Sequence, residues 1–178
     1  MGVFSPLNKS EQKKTANSLE YWLAEYLNAR RVPASGALSS WKGDIESKKY
    51  LIDSKNTIKT VISVLGSDLS KITREGREAN RTGHLVISFL EDGIKGVHYA
   101  VVPYNSEELD DYDVKPEKMI AEGSKKITKL FMTGLCKRAK KLDKIPTLLI
   151  EFNKITFGTP RKWLILPIEN YKEIFKNE

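Results

Sequence analysis

Apolar positions along the first half of the chain follow two rhythms. Leu19, Trp22, Leu23, Tyr26 and Leu27 stand three and four apart, the spacing that lines one helix face, and they predict a helix over Ser10 to Ala29. Pro33 closes it by biasing Val32 towards an extended backbone. Ala34-Ser35-Gly36-Ala37 reads as a loop. Two short strands follow, at 43–47 and 50–57, around the polar turn Ser47-Lys48-Lys49. Asp68 to Arg81 reads as a polar helix anchored by Leu69 and Ile72 and ended by Gly83. Strands over His84–Leu90 and Val97–Val102 flank the turn Glu91-Asp92-Gly93.

Beyond an acidic loop at 105–113, the pattern predicts a basic helical region from Pro116 to Leu142. Strands at Thr147–Phe152 and Lys162–Leu166 and a short helix at Glu169–Phe175 complete the chain. This is an α/β order: a mixed central sheet flanked by helices. It fits one domain over 1–178, with a core at 1–103, a basic helical insertion at 104–144 and closing strands and helix at 145–178. There is a weak internal echo. Helix, strand, turn, strand and helix occur at 68–110 and again at 124–175, with His84–Phe89 answering Pro146–Phe152 and Val101-Val102-Pro103 answering Ile165-Leu166-Pro167. Helix–hairpin units are common, so the echo alone decides nothing, and either hairpin could complete the sheet.

Charge adds a direction. The net charge is +7, and the window from Lys115 to Lys144 holds ten Lys/Arg against three acids, so any polyanion contact is expected there. Cys136 is alone, which excludes an intrachain disulfide and suggests a reducing cytoplasm. Two histidines, His84 and His98, and one cysteine do not make a four-ligand zinc site of the usual kind, so a bound metal is expected to take oxygen ligands. No apolar run approaches the roughly 18 residues of a membrane span, and the first ten residues lack a secretory h-region.

Chemistry concentrates in the hairpin. Alternation puts Asp53 and Lys55 on one strand face, and the tight turn returns Asp44 beside Asp53. Two carboxylates and an ammonium in one patch suit a hard cation that presents water to a phosphodiester. The plain alternatives are turn and edge-strand residues for Asp44 and Asp53, and solvent-facing side chains for Glu20 and Glu46. No Walker-type loop and no Ser/His/Asp triad is present.

Glu20 on a helix, the loop Arg30-Arg31-Val32-Pro33-Ala34-Ser35-Gly36-Ala37, then Trp41-Lys42-Gly43-Asp44 and Leu51-Ile52-Asp53-Ser54-Lys55 together resemble the PD-(D/E)XK nuclease superfamily. Within it the likeness is to archaeal and phage-type Holliday junction resolvases and related phage endonucleases. It covers Leu19 to Thr57. Gly43 stands where the name-giving proline would be, and Asp53 where Glu is more common. The resemblance implies a restriction-endonuclease-like fold and Mg²⁺-dependent (or Mn²⁺-dependent) hydrolysis of DNA, selective for branched structures. It implies Asp44 and Asp53 as metal ligands, Glu20 completing the acidic cluster directly or through water, Lys55 as the residue that orients or activates water and steadies phosphate charge, and Ser35 as a contact to the scissile backbone or its metal. Arg30, Arg31, Lys42, Lys137, Arg138, Lys140 and Lys141 are the expected DNA contacts. A homodimer on a junction, in an intracellular phage or archaeal protein, is its most specific form. The alternatives are a sequence-specific restriction-like, nicking or exonucleolytic enzyme of that fold, and a non-catalytic DNA-binding protein.

Overall fold

The β-branched and apolar runs pair into one large sheet. The computed structural model describes residues 9–32, 43–105, 109 and 116–175, of which 9–16 by backbone alone. Helix α1 (Lys9–Tyr26) leads into strands β1 (Arg30–Arg31), β2 (Ile45–Glu46), β3 (Tyr50–Thr57) and β4 (Val61–Leu65). Helix α2 (Gly66–Glu78) and the long hairpin β5 (Thr82–Asp92) and β6 (Lys95–Pro103) follow. The remainder is β7 (Glu117–Ala121), β8 (Ser124–Thr128), α3 (Lys129–Lys141), β9 (Leu148–Phe152), β10 (Lys162–Pro167) and α4 (Ile168–Ile174).

Eight strands form a mixed sheet in the order β1-β2-β3-β5-β6-β10-β9-β7, and β4 and β8 form a separate two-stranded ribbon. Pairing is antiparallel except for β3 with β5 and β7 with β9. One sheet face presents Leu51, Leu85, Ile87, Tyr99, Val101 and Ile165, and is covered by α2, α3 and the ribbon through Leu69, Ile72, Met132, Leu135, Ile62 and Ile127. The other presents Ile52, Val86, Ala100, Val102 and Leu164, and packs on α1 and α4 through Leu19, Leu23, Ile168 and Tyr171. Central β5 is therefore buried on both faces, which is why Leu85 to Leu90 lacks polar alternation.

Four expectations need correction. The segment expected to be helical from 116 to 142 is strand, turn, strand and then helix. Met119-Ile120-Ala121 and Ile127-Thr128 favour a pleated backbone, and the intervening Glu122-Gly123 breaks any helix. Strands β1 and β4, both short, carry no alternation long enough to read. Gly83 does not end α2. The helix closes at Asn80, whose φ of 54° is the left-handed conformation, while Gly83 lies in β5. The first hairpin strand is shorter than expected, Ile45–Glu46. Both later hairpins enter the central sheet, back to back through β6 and β10. No described helix is long and apolar enough to cross a membrane.

Candidate active site

The site is built on the β2–β3 hairpin. At the turn the Ser47 backbone N–H donates to the Tyr50 carbonyl (2.9 Å), and the Ser47 hydroxyl accepts from the Tyr50 N–H (3.0 Å). At the open end Asp44 extends the ladder both ways. Its N–H donates to the Ile52 carbonyl (2.9 Å), and its carbonyl accepts from the Val32 N–H (2.8 Å). Gly43 precedes it with a φ of 64°, a conformation proline's ring forbids and most side chains avoid, and Leu51 leaves no room there for a Cβ. The glycine in place of the motif's proline thus has a backbone cause. Gly43 N–H donates to Glu75 Oε2 (3.2 Å), tying the hairpin to α2.

The Asp44 carboxylate is fixed by Ser54, whose N–H (2.8 Å) and hydroxyl (2.9 Å) both donate to Oδ2. Its neighbour Asp53 has a pKa pushed up to about 7, first by burial, then by the charge of Asp44 and by a hydrogen bond between the two carboxyl groups. That bond needs one proton for the pair. Lys71, reaching across from α2, donates to Asp53 Oδ2 at 3.1 Å. Burial opposes the charge of Lys71, but Asp53, and then Glu75 and Asp44, outweigh it and leave its pKa above the ordinary lysine value.

Glu20 approaches without joining the pair. Burial and then the charge of Asp44 raise its pKa, while Arg31 draws it the other way through a 2.8 Å bond to Oε2. Arg31 also donates to Asn17 Oδ1 (3.1 Å) and lies over the Tyr21 ring, so it orders the helix side of the site. Among the described residues, no three His, Cys, Asp or Glu side chains converge as a metal-ligand set. Two carboxylates meet; the third is held back by arginine.

Lys55 emerges on the Asp53 side of β3, yet its ammonium donates to Asp68 Oδ2 (2.8 Å) rather than to Asp53. Lys71, which sequence periodicity assigned no role, takes the place beside Asp53. Its four-residue spacing from Glu75 was the only local hint. Arg30 pairs with Glu46, as does Arg81. Ser35 and Lys42 lie outside the described residues. Lys137, Lys140 and Lys141 are exposed on α3, away from the hairpin, and Arg138 donates to Glu117 (2.7 and 2.9 Å). His84 and His98 are buried and bonded, to the Tyr171 hydroxyl (2.9 Å) and the Ser88 hydroxyl (2.8 Å).

Beyond the hairpin turn lies a shallow cleft of about 520 Å³, lined by Arg30, Lys48 and Arg81 with Glu46. A second, of about 540 Å³, shares Lys48 and Arg81 and adds Lys49 and Arg77. Of the five cations along this edge only Arg30 was assigned a role from the sequence, because they come from three separate segments.

No protein-family model matches the chain, and no curated protein matches it at a significant level.

Proposed function

We propose that the protein is a metal-dependent DNA endonuclease of the restriction-endonuclease-like kind, acting at the Asp44–Asp53 pair. The observation that carries this is the pair itself. Two half-buried carboxyl groups adjoin at the end of a sheet-edge hairpin, Asp44 fixed by Ser54 and Asp53 held by Lys71, where a divalent cation would relieve the repulsion that raises the Asp53 pKa. The donor set is all oxygen, which suits Mg²⁺ or Mn²⁺ and not a soft metal. Bound there, the ion would supply a polarised water and neutralise phosphate charge.

The surrounding residues suit a phosphodiester. Lys71 and Lys55 rim the pair with ammonium groups that can donate to non-bridging phosphate oxygens, Lys55 after exchanging Asp68 for the substrate. Arg31 fixes Glu20, whose carboxylate would be available to accept from water on a bound cation. The basic clefts at Lys48, Lys49 and Arg81 give the strand flanking the scissile bond a counter-charged path. Position in the fold agrees with the resemblance: helix, edge hairpin with its acid pair, crossover helix α2 and parallel strand β5 form one contiguous unit. Branched DNA is the proposed substrate, by resemblance.

The test has two parts. Labelled four-way junction, flap and linear duplex are incubated with Mg²⁺ or EDTA, using wild type and Asp44→Asn; cutting that needs both Mg²⁺ and Asp44 is expected. Calorimetric titration with Mg²⁺ alone should show affinity rising with pH up to about 7, with proton release below it, and neither in the variant. Cleavage that survives Asp44→Asn would remove the pair from the chemistry.

A further inference from the structure

The two halves of the chain repeat each other. In β3 and β5, Asp53 pairs with Leu85 and Thr57 with Phe89; in β7 and β9, Glu117 pairs with Leu148 and Ala121 with Phe152. The hairpin partners repeat too: Leu85 with Val101 and Ser88 with His98, then Leu148 with Ile165 and Glu151 with Lys162. Every position moves by 63 or 64 residues. Even the irregular bonds repeat. Gly66 N–H donates to the Gly123 carbonyl, and Lys129 N–H to the Thr60 carbonyl. Each main helix ends on a left-handed residue, Asn80 (φ 54°) and Asp143 (φ 53°).

Where the halves meet, the pairing maps onto itself. Val101 faces its own counterpart Ile165 in β6–β10, and Ser63 faces Lys126 in β4–β8. One pseudo-twofold axis therefore passes through the sheet and the ribbon, with α2 and α3 on either side, both on the same sheet face.

The copies differ in chemistry on that face. Counterparts of Asp68, Lys71, Glu75 and Glu78 are Phe131, Gly134, Arg138 and Lys141, while Arg74 and Arg77 keep their charge as Lys137 and Lys140. At the position of Asp53 stands Glu117, bound by Arg138, and at that of Lys55 stands Met119. Helix α2 carries three cations and three acids; α3 carries five cations and no acid, and β8 adds Lys125 and Lys126. The opposite face, on α4, carries Glu169 and Glu173 against Lys172.

We propose that this face seats one DNA duplex on a single chain, with the protein's pseudo-dyad aligned to a dyad of the double helix. The proposal rests on the nuclease reading for its choice of DNA. The first half then presents its acid pair to one strand, and the second, whose helix α3 carries no acid, holds the symmetry-related backbone through Lys137, Lys140 and Lys141. Exposed Lys126, at the axis, faces the groove between. Double helices carry local twofold axes normal to their length, and a two-stranded ribbon fits the major groove. A single strand has no such axis.

The test is binding in EDTA, so that it does not depend on cleavage. Sedimentation equilibrium with a short duplex should give one chain per duplex, and an equal-length single strand should bind more weakly. The triple variant K137Q/K140Q/K141Q should flatten the dependence of log Kd on log salt, by about 0.9 for each phosphate that is no longer neutralised. Lys172→Gln, on the other face, should leave it unchanged. Two chains per duplex, tighter single-strand binding or an unaltered slope in the triple variant would each overturn the proposal. One-to-one binding without Mg²⁺-dependent cutting would instead leave the docking face standing and remove the nuclease.

Discussion

At the residue scale, the raised pKa of Asp53 has a measurable consequence. Asp53 ordinarily titrates near 3.8 and here near 7, so between those values the folded protein keeps a proton that the unfolded chain has released. Stability from this group falls as pH rises across that window, at up to about 1.4 kcal/mol per pH unit. His84 acts oppositely. Burial lowers its pKa to about 3, so its contribution grows as pH rises from there towards 6.5 and masks the carboxylate in wild type. The difference between Asp53→Asn and wild type removes the histidine. Urea unfolding at pH 4.5, 6 and 7.5 should show the variant gaining relative stability at each step; a constant difference would mean the pair is not protonated. Thr147, the counterpart of His84 in the repeat, is a second residue-scale case. Its buried hydroxyl has no hydrogen-bond partner, so Thr147→Val should be neutral or stabilise by about 1 kcal/mol in thermal melts. The acid pair was legible because strand alternation and a short turn bring Asp44 to Asp53. Lys71 was not, because its approach depends on how α2 crosses β3.

At the element scale, α2 crosses so closely because two glycines face each other. A methyl group at Gly83 would come within 2.2 Å of the Ile72 carbonyl oxygen, and one at Gly76 within 2.7 Å of the Gly83 nitrogen. That close approach brings Lys71 and Glu75 down to the hairpin. Gly83→Ala should cost about 1–3 kcal/mol by overpacking, read in thermal melts, and pull α2 from the sheet, which would also weaken the Mg²⁺ binding proposed for the site. A variant with wild-type melting would show that the crossing has slack. Periodicity located α1, α2, both long hairpins and α4, since each buries a continuous stripe or a full strand. It failed at Glu117–Thr128, where Lys118, Lys125 and Lys126 interrupt the apolar alternation, and lysine's good helix propensity favours the wrong reading. Those two strands form the outer edge of the sheet and half of the ribbon, so misreading them also hid the repeat. The strand-level echo was visible at 84–89 and 101–103. The rest was obscured because the turn after β7 is one residue shorter than that after β3, and the loop between β9 and β10 restores the difference.

At the scale of the whole molecule, the number of acid pairs would decide how many strands the proposed nuclease breaks in one encounter. A homodimer would bring two equivalent sites to one DNA, as a junction resolvase requires. This chain already has twofold architecture, yet only its first half carries adjoining carboxylates among the described residues. The matching place in the second half has Glu117 neutralised by Arg138 and no lysine at the positions of Lys55 and Lys71. If one chain occupies one duplex and the Asp44–Asp53 pair cuts as proposed, each encounter breaks one strand. Supercoiled plasmid with Mg²⁺ should therefore pass to open circle first, and linear product should follow only by a second, independent event whose rate scales with enzyme concentration. Linear DNA formed in step with the disappearance of supercoil would mean that two acid pairs act together, which would require a second chain. Restoring the α2 charges in α3 (Arg138→Glu with Gly134→Lys) would not be expected to create a second site. Met119 and Phe131 still occupy the places of Lys55 and Asp68, and the β7 edge has no counterpart to β2 and its Asp44 among the described residues.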